Sequence, residues 1–436
     1  MTANKGSKFW LALVIFSLTG QIAWVVENMY FNVFLYEMFH ATPAQISAMV
    51  SASAVSAAVT TLLIGALSDK LGKRKVFICG GYILWGLSIC AFSLLRVDVI
   101  GALFPAAVSA SAIGVTLTIV MDCVMTFFGS SANDACFNAW LTDSTDDRNR
   151  GAAEGINAMM PLVAILAVFG GFMAFDLSKA KSWTAIFLII GIAVIVIGAA
   201  GWFLIRESAS PIDENSSCLR NLVYSFRPTV IREHRTLYLC LLAFAIFGIS
   251  IQIFMPYLIL YYTEALGMTD YVLIMAPAVI LAAAFTAFYG RWYDRIGFRR
   301  AVVPSRLLLM AGYVVLYFCR TTLPVFAGSL LMMCGYLSGM AVFGAVVRQY
   351  TPVGKAGMFQ GLRIIGQVLV PGIIGPAIGA AVLKNADTVV NSDGTVSFIP
   401  NVNIYAAALG VALCLLVLLL PLMHYMKKGE TANVQN

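Results

Sequence analysis

Twelve apolar runs, each long enough to cross a bilayer, constrain this chain more than any other feature. A spanning helix needs about 20 mainly apolar residues. The runs fall at 9–38, 44–67, 75–96, 107–141, 152–176, 183–205, 236–263, 270–291, 301–319, 323–349, 356–383 and 402–426. The whole chain is 60% apolar and 11% charged, where soluble domains hold about 25% charged residues. Such a surface has to face lipid, so an all-α membrane protein is expected, multi-pass in the cell membrane. The first run follows a short polar segment without cleavage-site character, so it reads as a retained helix and not as a signal peptide.

The runs divide into two halves. Gly65-Ala-Leu-Ser-Asp69-Lys70-Leu-Gly72-Lys73-Arg74-Lys75 interrupts the apolar pattern, and Gly290-Arg-Trp-Tyr-Asp294-Arg295-Ile-Gly297-Phe-Arg299-Arg300 repeats it 225 positions later. A second pair, Gly151-Ala-Ala-Glu-Gly155 and Gly357-Met-Phe-Gln-Gly361, recurs at 206. The difference, 225 minus 206, puts 19 additional residues around 97–141. An extended fourth helix and a short external helix both accommodate them. The expected domains are a six-helix bundle at 1–206, a polar linker at 207–235 carrying Pro211 and Pro228, and a second bundle at 236–436. Residues 389–396, with Asp393-Gly394 between β-branched pairs, predict a small hairpin.

Charge sets the orientation. Of the 28 Lys and Arg, 22 lie in one set of loops and five in the other, leaving Arg363 inside a span. Cytoplasmic loops carry the excess, so both termini and both motif copies are expected in the cytoplasm. The net charge of +7 is spread over short loops, a pattern of topology and not of a nucleic-acid partner. The nine cysteines occur singly, with no CxxC, so neither a disulfide framework nor a metal site is expected. No GxxxxGK[ST] or HExxH is present, and no cofactor is expected. No nucleophile–base set can be assembled, so the chain is not expected to be an enzyme.

Ionisable groups inside spans are expensive and mark function. Glu27 sits near the middle of the first span, and Asp122 and Asp134 lie in the fourth. All three are candidate proton carriers; the plain alternative is a polar contact, for Glu27 to Asn28, Tyr30 or a neighbouring helix. Asp134 and Asn138 share a helix face, with Phe137 beside them, and together they suit a sugar. The carboxylate accepts paired hydroxyls while the ring covers the apolar face. Gln360, Arg363 and Gln367 form a polar stripe on the eleventh span that lipid cannot satisfy. Arg363 either holds substrate or neutralises a carboxylate. Asn28 and Asn157 are further cavity candidates, and Tyr257 and Tyr261 are weaker ones. Asp69 is expected to rest on the positive start of the eleventh helix or to pair with Arg148 or Arg150. Asp294 and Arg295 would mirror that contact, making Asp69, Arg74 and their copies a gate.

The doubled Asp-plus-basic loop across twelve helices resembles the major facilitator superfamily, which implies two pseudo-symmetric bundles and alternating access. Asn133-Asp134-Ala-Cys-Phe137-Asn138-Ala-Trp140-Leu-Thr-Asp143-Ser-Thr-Asp146-Asp147-Arg148-Asn149-Arg150, with Asn28-Met-Tyr30, resembles the glycoside–pentoside–hexuronide:cation symporters, nearest their sucrose–proton branch. That resemblance implies sugar binding at Asp134 and gating at the motif loops. The departures are specific. The helix-2 Asp pair of the sodium-using members falls at Ala57 and Thr61, the helix-1 sugar Asp near Gln21, and the helix-5 Arg near Asn157–Ala158. No sodium site of the usual kind is expected. The expected function is proton-coupled symport of a small sugar or glycoside by a monomer. Export or uniport of another solute is the alternative, and a non-transporting sensor a further one. About ten residues follow the last span, too few for a signalling tail.

Overall fold

The computed structural model describes residues 6–105, 109–145, 149–207, 224–351, 361–391 and 394–434. Twelve helices in it are long and apolar enough to cross a membrane. They are α1 Ser7–Phe39, α2 Pro43–Leu71, α3 Arg74–Leu94, α4 Ala110–Asp143, α5 Arg150–Phe172 and α6 Ala180–Leu204. The remaining six are α7 Arg235–Ala265, α8 Tyr271–Ile296, α9 Phe298–Phe318, α10 Thr322–Tyr350, α11 Gly361–Val382 and α12 Asn403–His424. The chain separates into two compact units: Met1–Cys218 with Val390–Ser397, and Leu219–Val389 with Phe398–Asn436.

The additional residues around 97–141 take both forms that the spacing allows. Val97–Leu103 is a short helix, and α4 is itself extended. The hairpin is present as β1 Thr388–Val390 paired with β2 Val396–Phe398. Gly394 takes the left-handed conformation that the turn requires. Asn391 Nδ2 donates to Ser397 Oγ at 2.9 Å, and His40 Nδ1 lies 3.1 Å from that oxygen.

Local sequence explains the helix ends. α2 begins with a capping box: Gln45 N donates to Thr42 Oγ1 while Thr42 N donates to Gln45 Oε1, and Pro43 fits the first turn. α2 stops at Gly72, whose φ of 63° needs a residue without Cβ. Gly297, the matching glycine of the second motif copy, has φ 73° and ends α8. Within unit 1, small residues let α3 and α6 touch. A Cβ on Gly86 would lie 2.5 Å from the Gly191 carbonyl oxygen.

Four of the spans are interrupted by π-helix. One π-helical segment lies in each of α1 (Val26–Tyr30), α4 (Ser130–Phe137), α7 (Tyr261–Ala265) and α11 (Ile365–Leu369). A π-turn inserts a residue, frees a backbone carbonyl and re-aims the side chains around it. Here side chains take up carbonyls at these turns: Asn28 Nδ2 on Trp24 O at 2.7 Å, Asn32 Nδ2 on Asn28 O at 3.1 Å, and Ser131 Oγ on Phe127 O at 2.6 Å.

Candidate functional site

The π-segments of α1 and α4 hold Glu27 and Asp134, and unit 1 builds its polar interior around them. Asp134 accepts from Ser130 Oγ at 3.0 Å and from Asn133 Nδ2 at 3.3 Å. Asn133 is itself fixed by Tyr82, whose hydroxyl lies 2.9 Å from Asn133 Oδ1 and 2.8 Å from the Phe16 carbonyl. The donors that orient the carboxylate thus come from α4, and α3 holds one of them, Asn133, through Tyr82. The indole N–H of Trp24 lies near Asp134 but outside hydrogen-bonding geometry, buried and without a partner. Its ring packs on Trp85, centroids 5.0 Å apart.

Gly20 on α1 is the close approach that admits this network. A Cβ there would meet Asn133 Oδ1 at 2.5 Å and the Tyr82 hydroxyl at 2.8 Å. Gly20→Val is therefore expected to break the Tyr82–Asn133 contact, lowering stability by about 1–3 kcal/mol, the usual range for overpacking. Thermal unfolding of the purified protein measures it, and unchanged unfolding would remove the network from the account.

Glu27 and Asp122 lie deeper, at 7% and 1% exposure. Ser53 Oγ of α2 donates to Glu27 Oε1 at 2.6 Å, Thr126 Oγ1 of α4 does so at 2.9 Å, and the two hydroxyls are 2.8 Å apart. Glu27 Oε2 and Asp122 Oδ1 have no partner.

The other expected residues take the following places. Asn28 and Asn138 are exposed, and Asn138 Nδ2 donates to the Asp134 carbonyl at 3.2 Å. Asn157 accepts a short bond from Ser17 Oγ, joining α1 to α5. Phe137 departs from expectation. At 1% exposure it is stacked against Phe16 at 6.1 Å and Trp140 at 5.7 Å, with no face open for a sugar ring. The aromatic side chain beside the carboxylate is Trp24, which no helix-4 motif points to.

In unit 2, Arg363 Nε donates to Gln367 Oε1 at 3.1 Å, so the stripe on α11 is real over those two residues. Gln367 Nε2 is buried with no partner. Gln360 and the start of the eleventh predicted helix lie outside the described residues. Tyr257 and Tyr261 are packed core, at 0% and 1% exposure. The groove of about 700 Å³ on α8 and α9, lined by Phe288, Trp292 and Leu307 among others, is almost wholly apolar and does not suit a hydrophilic solute.

The motif residues form a contact different from the one expected. Arg74, only 5% exposed at its side chain, pairs with Asp69 Oδ1 at 2.5 Å and Asp143 Oδ2 at 3.2 Å. It also donates to Ser68 Oγ at 2.6 Å. Asp69 is thus held inside unit 1, with Arg74 tying the ends of α2, α3 and α4 together. Arg150 reaches the Thr145 carbonyl at 3.5 Å and not Asp69; Arg148 lies outside the described residues. Asp294 and Arg295 are both exposed, and neither has an ion pair among the described residues.

Arg306, one of the 22 cations assigned to the loops, is fully buried in α9. Its guanidinium lies 3.8 Å from the Phe247 ring centroid and 5.1 Å from that of Phe343. Its Nε and Nη1 have no partner. Its position five residues inside the 301–319 run is the sequence signal for this placement.

Comparison with known proteins places the fold. The chain is 28% identical over 196 residues to sugar efflux transporter B of Salmonella typhimurium strain LT2, covering 44% of each protein. It is 26% identical over 219 residues to sugar efflux transporter A of Dickeya chrysanthemi, covering 50% of this chain and 51% of that one. The chain spans about half the length of the curated relatives it matches. The crystal structure of the nucleoside transporter NupG superposes with a TM-score of 0.69 at 13% identity, covering 96% of this chain and 98% of that one. A bacterial homologue of the human lysosomal transporter Spinster, inward-facing and occupied, gives 0.66 at 16%, covering 97% and 96%. At such identities the likeness is one of fold. The Major Facilitator Superfamily model matches residues 9–322 and 241–434. Its members are transporters and not enzymes, and the chain belongs to the Major Facilitator Superfamily.

Proposed function

We propose that this chain is a proton-coupled secondary transporter of a small sugar or glycoside, working by alternating access. The observation that carries the reading is the Asp134 carboxylate beside the Trp24 ring in the interior of unit 1. A carboxylate fixed by two donors accepts further hydroxyl protons, and an indole offers an apolar face to a pyranose. Within unit 1, Asn28, Asn138 and Asn157 supply further polar contacts for substrate; Arg363 and Gln367 are the candidate substrate contacts of unit 2 considered by itself. The direction we infer is export, because both named relatives are sugar efflux transporters. Import by symport is the second reading, favoured by the run from Asn133 to Arg150. In either case the termini face the cytoplasm and the chain works as a monomer. Residues 207–235 link the bundles, and the Asp69 and Asp294 motifs act at the gate.

Counterflow of radiolabelled mono- and disaccharides in proteoliposomes tests substrate without requiring coupling. Asp134→Asn is expected to weaken sugar affinity about tenfold or more, the equivalent of a lost charged hydrogen bond. Counterflow at wild-type affinity in that variant would remove the sugar site. Imposing a pH gradient in each direction on loaded vesicles separates export by exchange from import by symport.

A further inference from the structure

Unit 1 contains two carboxyls that sugar binding leaves unused, and they share one defect. Glu27 and Asp122 are both more than nine-tenths buried. Each keeps one oxygen, Oε2 and Oδ1 respectively, without any hydrogen-bond partner. Their neighbours converge on a single hydroxyl: Ser53 Oγ donates to Glu27 Oε1 at 2.6 Å and also interacts with Asp122. Thr126 Oγ1, one turn of α4 from Asp122, completes the cluster.

No positive charge is built in. The ion pairs of the described part of unit 1 involve Arg74, Arg96 and Lys179, none of them with these carboxyls. The titratable groups that face the pair are Asp134 and the Cys123 thiol, both on α4, and neither brings a cation. Ser53 from α2 contributes only a hydroxyl. Two buried carboxylates with orphaned acceptors and no counter-charge call for a bound cation, since neither charge nor lone pair is otherwise met.

We propose that Glu27 and Asp122 form one coupling site that holds a single proton shared between their unpaired oxygens, with Ser53 as the positioning residue. The proposal rests on the proton-coupled reading above and assigns its ion site; Asp134 stays with the substrate. On loading, one proton enters and bonds to a carboxylate oxygen, and the other carboxylate accepts it as a hydrogen bond. On unloading that O–H bond breaks and the proton leaves to water, with no other bond changed. The Ser53 hydroxyl keeps the two groups in register. A pair coupled in this way titrates as a unit and not as two residues.

Infrared titration of the purified full-length protein, reading the protonated-carboxyl C=O band without substrate, tests this. In Glu27→Gln and in Asp122→Asn the remaining carboxyl is expected to titrate with a displaced midpoint, and only the double variant to lose the band altogether. Asp134→Asn should retain that band with a displaced midpoint. Ser53→Ala, which removes no carboxyl, should shift the midpoint in the otherwise intact pair. Separate bands lost additively, a band indifferent to Asp122→Asn, or a midpoint unmoved by Ser53→Ala would each overturn the proposal. Displacement of the band by sodium but not by choline would assign the site to a metal cation instead. Because no sugar is present, a failed sugar site leaves this outcome readable, and a failed pair leaves counterflow intact.

Discussion

Removing Asp69 and Asp143 together, as Asp69→Ala with Asp143→Ala, is expected to lower the stability of unit 1 by about 3–5 kcal/mol, the range for a stranded buried charge. Arg74 is the reason. Its guanidinium is buried among the ends of α2, α3 and α4 and is matched by two carboxylates and the Ser68 hydroxyl. Without the carboxylates the charge stays buried with one neutral acceptor. Arg74→Ala should cost less, because Asp69 and Asp143 are 47% and 23% exposed and can regain water. Arg74→Lys should lie nearest to wild type, yet below it, since a single ammonium cannot reproduce the planar fork. Unfolding of the purified variants in mixed micelles gives the ranking. If Arg74→Ala proves the least stable of the three, the cluster is held by something other than charge burial.

This arrangement also shows what the motif could and could not reveal. Its second copy at 290–300 falls in the second of the two compact units, and the apolar runs place twelve spans within a few residues, because bilayer thickness dictates their length. The chemistry at the two copies differs. Asp69 is clasped by an arginine five residues on, whereas Asp294 is exposed and has no ion pair among the described residues. Sequence similarity carries the turn, through Gly72 and Gly297, more faithfully than it carries the contacts.

The site was legible where charge stands against an apolar background. Glu27, Asp122, Asp134 and Arg363 stand out by position alone. Their partners do not. Ser53 and Thr126 are ordinary residues for a span, and nothing in their spacing pairs them with Glu27. Phe137 fails as the sugar-facing ring for a physical reason: it closes the π-segment of α4, so a face counted from Asp134 at 3.6 residues per turn does not hold there, while Trp24 lies on another helix and has no spacing to Asp134 to count. The insertion of one residue per turn leaves no signature in composition.

Arg306 carries the second large expectation. Arg306→Met is expected to stabilise unit 2 by about 1–3 kcal/mol, in the manner of apolar replacements for buried charge. The gain comes from removing two guanidinium nitrogens, Nε and Nη1, that have no partner, each polar group costing about 1–3 kcal/mol when left buried. The loss is the contact with the Phe247 and Phe343 rings, about 2 kcal/mol for a desolvated cation over an aromatic face. Gly339→Ala probes the same spot from the opposite side. Its Cβ would lie 1.7 Å from Arg306 Nη2 and 2.8 Å from Phe247, so overpacking should destabilise by about 1–3 kcal/mol. Combining the two changes should recover most of that loss, because methionine bends where a guanidinium cannot. The double-mutant cycle therefore has a predicted sign: strongly non-additive, with the pair more stable than the sum of the singles. A destabilised Arg306→Met would mean that the aromatic sandwich outweighs the unmet N–H groups. A stabilised variant that no longer transports would place Arg306 among the side chains for which the fold gives up stability to function.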